Sequence, residues 1–124
     1  MVMKTKKVLG VIAGLLLGGS AAYAGPQPEF PGGQEGFDNY IASNLKYPAS
    51  AKANGIEGVV DVAFVVKADG SIGSIKIVRM VDPDLETEAI RLVKGMPNWL
   101  PADEDGTPVD CQTQVGISFV LPSQ

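Results

Sequence analysis

The longest alternation of core-type and polar residues lies near the C-terminus, and it predicts a strand with one buried face. The residues predicted to face the core are Val109, Cys111, Thr113, Val115, Ile117, Phe119 and Leu121. The residues predicted to face water are Asp110, Gln112, Gln114 and Ser118. A period of two is the side-chain period of a β-strand, so the pattern indicates a sheet with one packed and one solvated face.

Two earlier runs with the same period are joined by a turn signal, which predicts an antiparallel hairpin. The first run begins at Gly58. Its core positions are Val60, Val62, Phe64 and Val66. The return run extends from Ile72 to Met80, with Ile75 and Ile77 on its inner face. Between the runs, Asp69-Gly70 favours a tight turn because both residue types tolerate positive φ.

Two other segments repeat their apolar residues with the period of a helix. In the first, the residues at i, i+3, i+4 and i+8 are Phe37, Tyr40, Ile41 and Leu45. This helix ends before Pro48, which restricts the preceding residue to extended backbone. A short helical turn is predicted from Ala49 to Asn54, closed by Gly55.

The second long helix has clear start and stop signals. Asp82 is suited to cap the first turn, and Pro83 to occupy the first helical position. The apolar stripe of this helix is Leu85, Ala89, Leu92, Val93 and Met96. Gly95 is the expected left-handed residue after the helix, and Pro97 prevents its continuation. Residues 98–108 are then predicted to form a loop.

The order helix, strand, strand, helix, strand predicts an α+β fold of the form αββαβ. The third strand follows a helical crossover, so it runs parallel to the second and antiparallel to the first. This arrangement gives a three-stranded sheet of order 2-1-3 with two helices on one face. The third strand is left at an edge, where unpaired N–H and C=O groups accept another strand. The predicted partner-binding residues on this edge are Asp110, Gln112, Thr113, Gln114, Gly116 and Ser118.

The first 24 residues have the pattern of a cleavable secretory signal. Lys4, Lys6 and Lys7 form a positive segment before an apolar one at 8–19, and Ala22-Tyr23-Ala24 fits the small-x-small pattern of a cleavage site. The apolar segment of 12 residues is short of the roughly 20 that span a bilayer.

We therefore expect export to the periplasm and cleavage after residue 24. An extended Pro/Gly-rich arm over residues 25–35 and a folded domain over 36–124 would remain. If the signal were retained, it would anchor the chain in the inner membrane.

The net charge of the remaining chain excludes some classes of binding partner. The predicted signal holds three of the ten Lys and Arg residues and none of the fourteen acids, which leaves seven basic side chains against fourteen acidic ones. Nucleic acids and anionic membranes are bound through basic surfaces, so neither is expected as a partner.

The chain offers few groups for catalysis or metal binding. It contains no histidine, the commonest metal ligand and general base. Its single cysteine, Cys111, excludes an internal disulfide and lies on the apolar phase of the final strand, where burial is predicted. The acidic run Asp103-Glu104-Asp105 lacks the spacing of a calcium loop. We expect no catalytic residue, metal, cofactor or small-molecule substrate, and hence no enzyme.

A series of short motifs runs through residues 28–121. In order, they are Pro28-Glu29-Phe30-Pro31-Gly32-Gly33, Tyr47-Pro48 with Ala51, Gly58-Val59-Val60, Asp69-Gly70, Leu85 with Ala89, Trp99-Leu100-Pro101-Ala102, Gly106-Thr107-Pro108-Val109 and Ile117-Ser118-Phe119. Together they resemble the C-terminal domain of TonB, the energy-transducing protein of bacteria with an outer membrane.

The resemblance implies a binding role. Family members grip a short N-terminal segment of an outer-membrane transporter, or a related partner, by strand addition, and pass on work from a proton-driven motor in the inner membrane. Two departures are expected here. The chain should lack the family's uncleaved transmembrane anchor and long proline-rich spacer, and Thr113 and Gly116 replace an aromatic residue and a proline in the last strand. Gly116 is expected to weaken or bulge that strand.

Three functions are consistent with the sequence. The leading expectation is a periplasmic TonB-like domain that binds a peptide segment of an outer-membrane transporter, or another envelope protein, in TonB-dependent transport. The first alternative is a structural module that forms a homodimer through its final strand and has no transporter partner. The second is a minimal membrane-anchored energy transducer, which requires that the signal is retained.

Overall fold

The computed structural model describes residues 26–122, and its main sheet has the predicted three strands in the predicted order. In chain order the elements are α1 (Gly33–Asn44), α2 (Ala49–Ala53), β1 (Gly58–Val66), β2 (Ile72–Arg79), α3 (Pro83–Lys94), β3 (Ala102–Glu104), β4 (Thr107–Val109) and β5 (Cys111–Phe119). The main sheet has the order β2-β1-β5, and β1 is antiparallel to both neighbours. The α+β fold and strand order 2-1-3 are therefore confirmed. The predicted signal at 1–24 lies outside the described residues.

β1 and β5 pair without interruption along their whole length. The register begins at Gly58 opposite Phe119 and ends at Val66 opposite Cys111. Gly116 lies within this regular ladder, so the bulge that was expected there does not form. β5 is consequently a regularly paired strand at one edge of the sheet.

β2, at the other edge, is irregular, and this brings its isoleucines to one face. Its pairing with β1 shifts register between Ala63 and Val65. Ser74 has a φ of 52°, as in a bulge where two residues oppose one. The extra residue changes the side-chain phase, so Ile72 and Ile75 both pack against the core although they are three positions apart.

The turn between β1 and β2 contains Asp69 and Gly70 as predicted, but only the glycine is left-handed. Gly70 has a φ of 89°, whereas Asp69 is not among the residues with positive φ. The Gly70 N–H donates to the Lys67 carbonyl at 2.7 Å, and the Lys67 N–H donates to the Ser71 carbonyl at 2.8 Å. The hairpin therefore has a three-residue loop that ends in a left-handed glycine.

Residues 102–108, predicted as part of a loop, form a second hairpin together with Val109, from strands β3 and β4. Asp105 and Gly106 turn the chain with φ values of 52° and 85°, as in a two-residue hairpin turn. The long alternation from 109 to 121 is thus divided, because Val109 ends this hairpin and β5 begins only at the second residue after it.

α3 begins and ends at the predicted residues. The Asp82 carboxylate accepts hydrogen bonds from the N–H groups of Asp84 and Leu85 at 2.9 and 3.3 Å. Gly95 follows the last helical residue, but its φ of −87° is right-handed, so the left-handed conformation expected there is wrong.

Both long helices pack against one face of the main sheet, as predicted. α1 begins at Gly33, so residues 33–35 are helical and not part of an extended arm. The shared core contains Phe37, Val60, Val62, Phe64, Val66, Leu85, Ala89, Leu92, Val93, Val115, Ile117 and Phe119. Between residues 26 and 122, no helix is long and apolar enough to cross a bilayer.

The segment before α1 is anchored to the domain. Phe30 is 6% exposed, and its ring centroid lies 5.7 Å from that of Phe37 and 5.6 Å from that of Trp99. Glu29 and Leu100 exchange two backbone hydrogen bonds of 2.9 and 2.8 Å. This segment therefore forms part of the surface next to α1 and β5.

Candidate functional site

The free side of β5 is the candidate site, and β1 decides which main-chain groups point to it. The Lys67 N–H donates to Ser71, at the start of the return strand, so the main-chain groups of residue 67 point toward β2. These groups alternate sides along a strand. Because β1 is regular throughout its pairing with β5, its even-numbered residues, from Gly58 to Val66, point toward β5.

The β5 residues opposite those even-numbered residues direct their main-chain groups toward β1. The β5 residues between them direct their main-chain groups away from the sheet. Val66 lies opposite Cys111 and Phe64 opposite Thr113, so the odd-numbered residues of β5 complete the ladder. The N–H and C=O groups that face away from β1 belong to Gln112, Gln114, Gly116 and Ser118. Gln112 is exposed and Gln114 and Ser118 are half-buried, whereas Gly116 is buried. Within residues 26–122, no other strand pairs with this side of β5.

The side chains of β5 fix its position in the sheet. Val115, Ile117 and Phe119 are buried in the core. On the opposite phase, Gln112 is exposed and Gln114 is half-buried. A strand anchored through one face cannot slip by one residue without exposing that face, so its outward main-chain groups have a defined register.

Two residues predicted to contact a partner, Asp110 and Ser118, differ in their hydrogen bonding. Asp110 precedes β5, and its carboxylate accepts a hydrogen bond of 2.8 Å from the Ala68 N–H. It therefore ties the β1–β2 turn to the start of β5. The Ser118 hydroxyl oxygen is buried and has no hydrogen-bond partner among the described residues.

A cavity of about 230 Å³ lies beside β5 on the helical side of the sheet. Its walls come from the segment before α1, from α1, from the loop after α3 and from β5. The lining residues are Gln27, Pro28, Glu29, Phe30, Gly33, Gln34, Phe37, Trp99, Thr113, Gln114 and Val115. The sequence pattern did not predict this cavity, because residues 25–35 were expected to form an extended arm. An aromatic residue, Phe30, within that polar and breaker-rich segment was the available signal that the arm packs on the domain.

Trp99 supports the wall of this cavity from the core. It is 7% exposed and makes edge contacts with Phe30 and Phe64 at centroid distances of 5.6 and 5.4 Å. Its indole nitrogen is buried without a partner among the described residues. Trp99 thus fixes the position of Phe30 through ring packing.

The acidic character of the molecule extends to the ends of β5. Asp110 stands before the strand, and the Glu57 carboxylate accepts the Leu121 N–H at 2.6 Å after it. No lysine or arginine follows Lys94 in the sequence. The surroundings of β5 therefore suit a neutral or basic segment better than an acidic one.

Cys111 was predicted to be buried in the core, but the structure shows that it is only half-buried. Its sulfur lies 3.9 Å from the Pro26 carbonyl oxygen. Burial raises the pKa of the Cys111 thiol, which lowers the fraction of reactive thiolate at neutral pH. Across residues 26–122, no group of three or more Cys, Asp or Glu side chains is arranged to hold a metal ion.

Comparisons with known proteins agree with this architecture. The sequence model of a family described as "Gram-negative bacterial TonB protein C-terminal" matches residues 43–121. Protein TonB of Helicobacter pylori (strain ATCC 700392 / 26695) is 38% identical over 66 residues, which are 52% of this chain and 23% of that protein. Protein TonB of strain J99 is 36% identical over 66 residues, or 24% of its length. The match therefore spans about a quarter of these relatives.

A solved structure is similar as well. The NMR solution structure of the Helicobacter pylori TonB-CTD superposes with a TM-score of 0.51 at 26% sequence identity. The superposition covers 69% of this chain and 78% of that one.

Proposed function

Because the chain belongs to the family of Gram-negative bacterial TonB protein C-terminal domains, we propose that it is a periplasmic binding domain in TonB-dependent transport. It engages a peptide segment of an outer-membrane transporter, or of another envelope protein, by adding that segment as a strand to β5. The periplasmic location rests on the signal pattern of residues 1–24. No cofactor or catalytic group takes part in this function.

The observation that carries the proposal is the outward main chain of β5. Gln112 and Gln114 direct N–H and C=O groups away from β1 at the more accessible end of the strand, in a register anchored by the buried face. Gly116 and Ser118 share this phase, but Gly116 is buried. An extended peptide can satisfy these groups, and main-chain hydrogen bonds then supply affinity while side chains supply selection. Since β5 is already ordered, little conformational entropy is lost on the domain side when a strand is added.

The same edge is compatible with a second copy of the chain, which is the main alternative. Two β5 strands would then pair across a two-fold axis in a homodimer. The other alternative, a membrane-anchored energy transducer, differs from the proposed periplasmic domain only in that the signal is retained. The N-terminal sequence of the protein isolated from cells distinguishes these two possibilities.

The first test removes one outward N–H. Synthetic peptides covering the N-terminal segments of outer-membrane transporters from the same bacterium are titrated into the domain, and affinity is measured by calorimetry. We expect Gln114→Pro to weaken binding by about tenfold or more, because it removes a main-chain hydrogen bond and places a ring at the interface. Gln114→Ala keeps the N–H and should lose less affinity.

A proline at the neighbouring position is the contrast. The Thr113 N–H faces β1, so Thr113→Pro should break the central ladder and lower the thermal midpoint measured by circular dichroism. A folded Gln114→Pro variant that binds the same peptide with unchanged affinity would contradict strand addition at β5. A wild-type domain that binds no peptide and sediments as a dimer would instead favour self-association.

A further inference from the structure

We propose that the cavity beside β5 receives one largely apolar, non-acidic side chain of the added strand and so selects which peptide binds. The inference rests on the proposed strand addition and names the chemistry of the partner at one position. It does not depend on any particular transporter.

The pleat of the sheet decides which peptide residue reaches the cavity. Residues opposite each other in neighbouring strands place their side chains on the same face of a sheet. Thr113 and Val115 line the cavity, and Val115 belongs to the core. A peptide residue paired with either of them therefore projects toward the cavity. The residues on each side of it project to the opposite face, beside Gln112 and Gln114.

The size of the cavity suits a single side chain. Its volume of about 230 Å³ exceeds the roughly 150 Å³ of an apolar cavity that admits benzene. A leucine or methionine side chain can therefore enter without displacing the walls.

The lining sets the chemical class of that side chain. Pro28, Phe30, Phe37 and Val115 supply apolar surface, and Gln27 and Gln34 supply neutral polar groups. Glu29 is the only charged residue among the lining residues. An acidic side chain would lose water there and find no cation, which strongly disfavours its ionised form. An uncharged side chain meets no such cost.

The cavity is formed before any peptide binds, because its outer wall is held at two points. Phe30 packs against Phe37 and Trp99, and Glu29 pairs with Leu100 through the backbone. Ligand sites that are already formed lose little affinity to reorganisation. The packed segment before α1 thus contributes directly to selection.

The experiment uses a peptide that the wild-type domain binds. Each of its residues is replaced in turn by methionine, by the nearly isosteric glutamate and by alanine, and dissociation constants are measured by calorimetry. We expect one position at which glutamate binds at least about tenfold more weakly than methionine, because only that side chain is buried away from cations. At the two adjacent positions the difference should stay within about threefold, since those side chains remain in water.

Two matched variants of the domain test whether the side chain at that peptide position lies in the cavity. Thr113→Leu fills part of the cavity and keeps the main-chain N–H, so it should weaken the methionine peptide by about fivefold or more while the alanine peptide is less affected. Thr107→Leu is the same substitution at an exposed position of β4 and should leave both affinities unchanged.

The outcomes separate this inference from the proposed function. If Gln114→Pro abolishes binding but methionine and glutamate are equivalent at every position, strand addition stands and the cavity inference is overturned. If Thr113→Leu and Thr107→Leu have equal effects, the cavity is also excluded. If the wild-type domain binds no peptide at all, both proposals fail.

Discussion

Glu88 shows how a single buried carboxylate joins separate parts of the chain. It is 8% exposed and accepts hydrogen bonds from Arg91 and from the Lys46 N–H, each at 2.7 Å. Arg91 also donates to the Asn44 carbonyl at 2.8 Å. Burial opposes ionisation of Glu88, but the hydrogen bonds from Arg91 and Lys46 outweigh it and hold the pKa of Glu88 below its ordinary value of 4.5. The Glu88–Arg91 ion pair on α3 therefore holds the C-terminal end of α1 in place.

This lowered pKa predicts how stability depends on pH. Because the folded-state pKa of Glu88 lies below its unfolded value, the stabilisation is present above about pH 4.5 and is lost as the pH falls through the folded-state pKa. Glu88→Gln should lower the free energy of unfolding by about 1–3 kcal/mol at pH 7, since a buried acceptor of three hydrogen bonds is altered. The deficit should shrink as the pH falls below 4.5.

Urea unfolding of wild type and Glu88→Gln at several pH values measures this effect. Glu104→Gln, at an exposed carboxylate on β3, is the control. A deficit that stays constant down to pH 2 would show that charge at Glu88 is not the cause.

At the scale of elements, the two hairpins use glycine for different reasons. Gly70 and Gly106 have nearly equal φ values of 89° and 85°. A side chain on Gly70 would place its Cβ 2.4 Å from the Trp99 carbonyl oxygen, whereas a side chain on Gly106 would meet nothing within 4 Å. The Gly70 carbonyl also accepts the Trp99 N–H at 2.8 Å. Gly70 is therefore needed for a tertiary contact as well as for a turn.

Alanine substitutions separate these two requirements. Gly106→Ala should lower the free energy of unfolding by about 1–2 kcal/mol, the cost of a left-handed conformation for a residue with a Cβ. Gly70→Ala should cost about 3–5 kcal/mol, because the backbone of Trp99 must also move. Equal costs in chemical denaturation would show that the close approach to Trp99 is unimportant.

The elements differ in how far their sequences predicted them. The bounds of α3, between Asp82 and Gly95, were predicted correctly from capping residues and periodicity, because these signals depend only on residues close in sequence. The β3–β4 hairpin was missed although Asp105-Gly106 is a hairpin signal, since its three-residue strands are too short to show a period. The position of the arm was missed because residues 29 and 100, which pair through their backbones, are far apart in sequence.

At the scale of the whole molecule, the excess of acids predicts the charge of the partner. The chain from residue 25 onward has seven basic and fourteen acidic side chains. A bound peptide flanked by lysines should therefore associate faster at low salt than the same peptide flanked by glutamates. The difference should decline as ionic strength rises toward 0.5 M, where the screening length falls below about 5 Å.

Stopped-flow fluorescence with the two peptides at increasing salt tests this expectation. A peptide flanked by serines gives the rate without steering. Equal association rates for the lysine and glutamate peptides at low salt would show that the net charge does not guide binding.

The sequence by itself determined the elements of the main sheet, the long helices and the presence of a strand at an edge. Periodicity and capping act over a few residues, and strand order then follows from connection rules, so these features are encoded locally. Only the tertiary structure decided that Gln112 and Gln114, rather than Thr113, direct their N–H groups outward, because the ladder with β1 sets that phase. It alone also revealed the cavity, whose walls come from three separate stretches of the chain. The proposed selection of a partner at this edge therefore depends on contacts that no local pattern encodes.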